Sequence, residues 1–124
     1  MVDIWHCDAT GSYSEPGQTF LRGAQVTNRN GIVEFTTVYP GWYPGRTVHI
    51  HAKVNLDKRT VLTTQLYFDD TVSAHVFVED PYAGESNRDA YNDSDGLYRK
   101  DLELTLSRKS DAYRGLITLD VARA

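Results

Sequence analysis

A single cysteine, Cys7, rules out an internal disulfide and any cluster of thiolate metal ligands. That scarcity suits the cytoplasm but does not exclude export. Charge of one sign is also missing. The 13 basic residues against 17 acidic ones leave a net charge of −4, and the basic residues form no run or stripe, so a nucleic-acid partner is not expected. No apolar stretch approaches the roughly 20 residues of a membrane span. There is no glycine-rich phosphate loop and no Gly-x-Ser-x-Gly elbow. Helical periodicity is almost absent as well. No signal peptide is visible, yet Met1 runs straight into the strand-like Val2-Asp3-Ile4-Trp5. Met1 is therefore read as an addition to a domain excised from a longer chain, so the missing signal carries little weight.

What is present is a series of short apolar runs punctuated by turns. A chain of 124 residues is the size of one domain, and 1–124 is taken as a single unit. Residues 2–7 predict a first strand, and a loop containing Pro16-Gly17 follows. Residues 22–27 and the β-branched, alternating 32–38 predict two more strands around the hairpin turn Asn28-Arg29-Asn30-Gly31. A rigid loop, Pro40-Gly41-Trp42-Tyr43-Pro44-Gly45, precedes strands over 46–55 and 60–68. Between 69 and 100 the periodicity fades, with one helical turn near 72–78. A loop of that length in a compact domain is commonly a functional rim or lid. The strands resume at 102–106 and 116–121 after a turn at Lys109-Ser110-Asp111. The pattern predicts an all-β, immunoglobulin-like or Greek-key β-sandwich of about seven to nine strands, with long loops at one end.

The sharpest chemical signal is His49-Ile50-His51. Alternate strand residues project from one face about 7 Å apart along the chain, so two imidazoles can converge on one metal. Taken alone, the pair reads equally as two half-exposed strand histidines. Tyr43 stands in the proline-stiffened loop just before, where fixed φ values hold a side chain with little further ordering. Trp42 beside it either walls off solvent or, with Tyr43, merely plugs the end of the sandwich. Arg46 falls on the face opposite His49 if the strand is regular there; it is either a surface charge or a donor that stabilises an oxyanion. His6 and His75 stand isolated and are expected to be structural or exposed. Asp93-Ser94-Asp95-Gly96 imitates a calcium loop, but the register fails. Asn92-Asp93-Ser94 matches a glycosylation sequon.

The segment 40–51, PGWYPGRTVHIH, closely resembles the metal motif of the intradiol ring-cleavage dioxygenases. Residues 5–13, WHCDATGSY, resemble that family's upstream motif, which ends in a tyrosine ligand. Residues 20–25 and 62–68 look like family segments too, so the resemblance runs from about residue 2 to 68 and fades afterwards. It implies a non-haem Fe(III) held by Tyr13, Tyr43, His49 and His51. Phenolate oxygens and neutral imidazoles suit a hard ferric ion, whereas the two-histidine, one-carboxylate set of ferrous oxygenases is not apparent. It further implies that Arg46 lies beside the substrate, that Gln65 hydrogen-bonds behind the ligands or toward the substrate, and that Tyr43 leaves the metal carrying a catechol proton. The ring would be cleaved between its two hydroxyl-bearing carbons with both atoms of O2 incorporated, giving a cis,cis-muconate-type product. The family's usual N-terminal helical region is missing, which implies a monomer with a more open cleft, and an extracellular location by analogy with the exported branch. Two alternatives are a transthyretin-like or carbohydrate-binding module that uses Trp42 and Tyr43 as a contact surface, and a structural zinc or copper site.

Overall fold

The computed structural model describes residues 1–14, 18, 20–85 and 87–121. The expected Pro16-Gly17 turn lies outside them. Four strands, β1 (Val2–Trp5), β2 (Arg22–Gln25), β3 (His49–Leu56) and β4 (Arg59–Tyr67), form one antiparallel sheet in the order β2-β1-β3-β4. After β4 come a short helix, α1 (Asp70–Val76), three single 3-10 turns and a C-terminal hairpin of β5 (Thr105–Lys109) and β6 (Ala112–Leu116). Six strands thus stand among the described residues, within the expected all-β class.

The central strands owe their places to alternation. In β3, Ile50 and Ala52 face one way, opposite Leu66 and Ile4 on the neighbouring strands. With Val48, Phe68 and Phe77 they make the buried core, which Leu104, Leu106, Ile117 and Leu119 from the C-terminal part cover as a second layer. His49 and His51 necessarily point to the opposite face, in register with Tyr67 and Gln65 of β4, and Trp5 of β1 pairs with His51. One strand therefore serves the core on one side and the site on the other. The β3–β4 connection is a two-residue loop in which Asp57 and Lys58 both have positive φ, 51° and 63°. That is the backbone a tight hairpin demands.

Several expected strands shift. Residues 32–38 form no ladder, although their turn does form: Asn28 Oδ1 accepts from the N–H groups of Asn30 and Ile32, and Gly31 has φ +75°. The segment lies over the face of β1 and β2 instead of beside β2. Phe35 carbons come within 3.6 Å of where a Gly23 Cβ would be, Thr37 Oγ1 hydrogen-bonds His6 Nε2 at 2.8 Å, and a cleft lined by Ile4, Gly23, Phe35 and Val38 separates the layers. Alternation reported a surface with one buried side; it could not report that no neighbouring strand is there to pair. The strand expected from 46 begins at His49, because Gly45 (φ +85°) and a turn bond from Arg46 N–H to Tyr43 O hold the preceding residues out of the sheet. The C-terminal strands, expected at 102–106 and 116–121, are displaced into one hairpin around Ser110 (φ +57°), near the expected turn. Leu104, Ile117 and Leu119 still pack on the core, so their periodicity was that of packing and not of pairing.

The expected helical turn is α1. Asp69 caps it, its Oδ1 accepting from Thr71 N–H at 2.7 Å and Val72 N–H at 3.4 Å. Ser73 is fully buried on its inner side and bonds the Tyr39 hydroxyl at 2.6 Å. No helix is long and apolar enough to cross a membrane among the described residues.

Candidate metal centre

Two loops bring phenols to the histidine face of β3. The first is built on Asp8, whose carboxylate accepts from the Thr10 N–H at 2.9 Å, the Thr10 hydroxyl at 2.8 Å and the Ser12 N–H at 2.9 Å. This closed turn delivers Tyr13. The second loop carries Tyr43 and abuts the first so closely that only glycine fits at both contacts. A Cβ on Gly11, which also has φ +86°, would stand 2.2 Å from Trp42 O. One on Gly41 would stand 2.6 Å from the carbonyl oxygens of both Asp8 and Ala9.

The result is a cluster of four donor atoms. Tyr13 Oη lies 3.1 Å from Tyr43 Oη, 3.3 Å from His49 Nε2 and 3.0 Å from His51 Nε2, and Tyr43 Oη lies 3.0 Å from His49 Nε2. Two ligands each ~2.1 Å from an ion and at right angles about it stand ~3 Å apart, so these separations fit one metal ion. Among the described residues no three His, Cys, Asp or Glu side chains come together, so the donor set is two imidazoles and two phenols. That set, rich in oxygen and free of thiolate, suits a hard, highly charged ion.

The histidines are prepared to donate electron pairs. His49 is buried, and its Nδ1–H is taken by Thr47 O at 2.7 Å, which leaves Nε2 as the lone-pair nitrogen facing the tyrosines. Burial pulls its pKa down to about 4, assisted by the charge of Arg46 and by His51, so the ring is neutral at pH 7. Burial also lowers His51, with Arg46 and Arg22 adding to it. The His51 ring stacks on Trp5, with centroids 5.0 Å apart and planes 4° from parallel. Burial drives the Tyr13 phenol well above its usual value, and its bond to Tyr43 adds to that. Without a cation the phenol keeps its proton; a metal reverses that balance.

Arg46 does not sit across the sheet, as strict alternation would have placed it. It lies before the strand begins and turns to the site, where its Nε donates to Asp95 Oδ2 at 2.8 Å and its Nη2 donates to Gln65 Oε1. Gln65 Oε1 also accepts from the Tyr67 hydroxyl at 3.2 Å. Trp42 packs against the core, half-buried, and Tyr43 belongs to the donor cluster.

The long 69–100 stretch supplies what the motifs did not show. Asp89 takes the Gly45 N–H, Asn92 Oδ1 takes the Thr47 hydroxyl at 2.6 Å, and Asp95 takes the Thr47 N–H at 2.9 Å. α1 holds this loop in turn, Asp70 bonding Arg88 at 2.7 Å and the Asn92 N–H at 3.1 Å. The stretch is thus a rim, as its length suggested. Asn92 is buried with its Nδ2 donating to Phe68 O at 2.8 Å, so the sequon is closed to modification in the folded chain. His6 is structural, donating from Nδ1 to Cys7 O at 2.7 Å, and His75 is exposed. Trp5, Tyr67 and Asp95 are site residues that the spacing gave no sign of; Trp5 and Tyr67 had a signal only as members of segments that resemble the family's, and Asp95 had none.

The fold agrees with those of known proteins. The dioxygenase family model matches residues 1–89. The chain belongs to the intradiol ring-cleavage dioxygenase family. An intradiol ring-cleavage dioxygenase from Tetranychus urticae superposes with a TM-score of 0.90 at 32% identity, over 97% of this chain and 69% of that one. The dioxygenase domain of a carbohydrate-binding fusion protein from Streptomyces sp. SirexAA-E superposes with a TM-score of 0.71 at 35% identity, over 98% and 68%. A chlorocatechol 1,2-dioxygenase from Rhodococcus opacus is 30% identical over 93 residues, covering 56% of this chain and 36% of that protein. The chain therefore spans about a third of the length of that curated relative.

Proposed function

We propose that this domain is a non-haem Fe(III) dioxygenase that opens catechol-type rings between their two hydroxyl-bearing carbons, using O2 and giving cis,cis-muconate-type products. One observation carries the reading: two phenolic oxygens and two imidazole nitrogens form one cluster, in which Tyr13 Oη lies 3.0–3.3 Å from the other three donor atoms and Tyr43 Oη lies 3.0 Å from His49 Nε2. Tyr13, Tyr43, His49 and His51 would hold the ion. When bound, Fe(III) supplies a Lewis acid that keeps a catechol deprotonated and accepts electron density from its ring.

The remaining work falls to the chain. The two tyrosines are not equivalent: Tyr13 Oη touches both histidines, whereas Tyr43 Oη touches His49 and Tyr13. Tyr43 Oη is accordingly the acceptor for a catechol proton, and Tyr13 stays in place. Thr47 O keeps the His49 ring in the tautomer that leaves Nε2 free. Trp5, flat against His51, holds that ring and walls one side. Arg46, fixed by Asp95 and Gln65, stabilises negative charge that develops on the ring and on the oxygens added to it.

Oxygen uptake by the ferric-loaded chain, measured with catechol, a substituted catechol, protocatechuate and hydroxyquinol, tests this. At least one is expected to consume O2 one-for-one, with both atoms of labelled O2 in the product. No uptake with any of the four overturns the reading.

A further inference from the structure

Asp95 occupies an unusual position in the molecule. Its side chain is 1% exposed, and both oxygens are used. Oδ1 accepts from Leu97 N–H at 2.8 Å, and Oδ2 accepts from Thr47 N–H at 2.9 Å and from Arg46 Nε at 2.8 Å. Burial opposes its ionisation, but these donors outweigh that and hold the carboxyl below its usual range. A carboxylate that takes three N–H groups in a buried place defines its neighbours' positions closely, since each bond is charge-assisted and none is exchanged with water.

Two of those neighbours lead to the site by different routes. Arg46 is gripped at Nε by Asp95 and at Nη2 by Gln65, so the plane of the guanidinium is fixed at two points. Its Nη1 makes no such bond among the described residues. Thr47 is gripped at its N–H, and its carbonyl receives the Nδ1–H of His49. One carboxylate, 46 residues beyond His49 and outside every recognisable motif, thereby reaches both the substrate side and the metal side of the cluster.

We propose that Asp95 is a positioning residue, which holds Arg46 so that Nη1 is presented to the negative charge of a bound substrate. This rests on the dioxygenase reading for the identity of that substrate, but the clamp is a property of the chain itself. Asparagine cannot replace the carboxylate. Whichever way its amide is turned, an NH2 faces either Leu97 N–H or the paired N–H groups of Thr47 and Arg46.

The test has two arms. In the metal-free chain, the Arg46 Nε–H proton, identified by its disappearance in Arg46→Lys, is followed by NMR hydrogen exchange. It should exchange on the order of tenfold or more slowly than that of Arg99, whose side chain is 69% exposed. Asp95→Asn should abolish the difference. Exchange as fast as Arg99 in the unsubstituted chain overturns the clamp, whether or not any variant folds. In the second arm, turnover per bound ferric ion should fall about 10- to 100-fold in Asp95→Asn, with kcat changing more than KM. In an Arg46→Lys background the same substitution should cost no more than about threefold, because the Asp95–Arg46 bond is already gone and turnover per bound ferric ion leaves out any loss of metal that follows from the Thr47 bond. An equal loss in both backgrounds shows that Asp95 acts independently of Arg46 and overturns the proposal. If the unsubstituted chain shows no turnover at all, the dioxygenase reading fails while the exchange arm still decides the clamp.

Discussion

Gly41 is the point at which the two tyrosine loops meet. Its N–H donates to Asp8 O at 2.9 Å, and a methyl group there would lie 2.6 Å from two backbone oxygens. Backbone cannot swing aside as a long side chain can, so Gly41→Ala must part the loops. We expect a destabilisation of about 1–3 kcal/mol, as for other overpacked sites. Ferric affinity should fall at least about tenfold as Tyr13 moves away from the histidines. Gly84, with open space around it, serves as the control: Gly84→Ala should stay within about 0.5 kcal/mol. Denaturant melts and ferric titrations of both variants check this, and an unaffected Gly41→Ala would show that loop contact does not set the tyrosines. At this scale the sequence was informative where chemistry is local. His49 and His51 announce themselves by spacing, but Tyr13 was reached only through resemblance, because its approach depends on a turn closed by Asp8 and on two glycines 30 residues apart. Asp95 was not reached at all: Arg46 and Thr47, the partners that tie it to the site, lie 49 and 48 residues away, and nothing in Asp-Ser-Asp-Gly distinguishes a buried clamp from a surface turn.

Elements were legible in proportion to how far their causes are local. α1 carries its cap in Asp69, and β3 and β4 carry their alternation, so all three appear close to where the sequence puts them. Residues 32–38 have equally good strand chemistry and no strand, since a ladder needs a neighbour and periodicity reports only burial. The β3–β4 loop offers a test of hairpin control. Lys58 holds φ +63°, a conformation that costs a residue with a Cβ roughly 1–2 kcal/mol and costs glycine nothing. Part of that gain is offset by the greater freedom of glycine in the unfolded chain. Lys58→Gly should stabilise the domain by about 0.5–1 kcal/mol, seen as a melting temperature a few degrees higher. A lower melting temperature would mean that the loop relaxes out of its tight-turn geometry in solution.

Across the whole molecule, one sheet divides the labour. Its inner face holds Ile50, Ala52 and Leu66 in the core, and its outer face holds His49, His51 and Gln65 under a rim built from residues 88–97. That rim rests on α1 through Arg88 and Asp70, so the least periodic quarter of the chain is what fixes the best-defined motif. The all-β class and the histidine-bearing strand followed from pattern; the layering, the rim and the register between distant segments did not, because they are decided by contacts between residues far apart in the chain, from 18 positions for Arg88 and Asp70 to 49 for Arg46 and Asp95. The central claim is that two tyrosines and two histidines of this sheet form a ferric site. Tyrosinate bound to Fe(III) absorbs visible light by charge transfer, which neither imidazole nor free ferric ion imitates. Titration of the metal-free chain with ferric ion, followed by visible absorption, should give a coloured complex saturating at one equivalent, with the band shifted or weakened in both Tyr13→Phe and Tyr43→Phe. A chain that stays colourless, or a band indifferent to both substitutions, would contradict it.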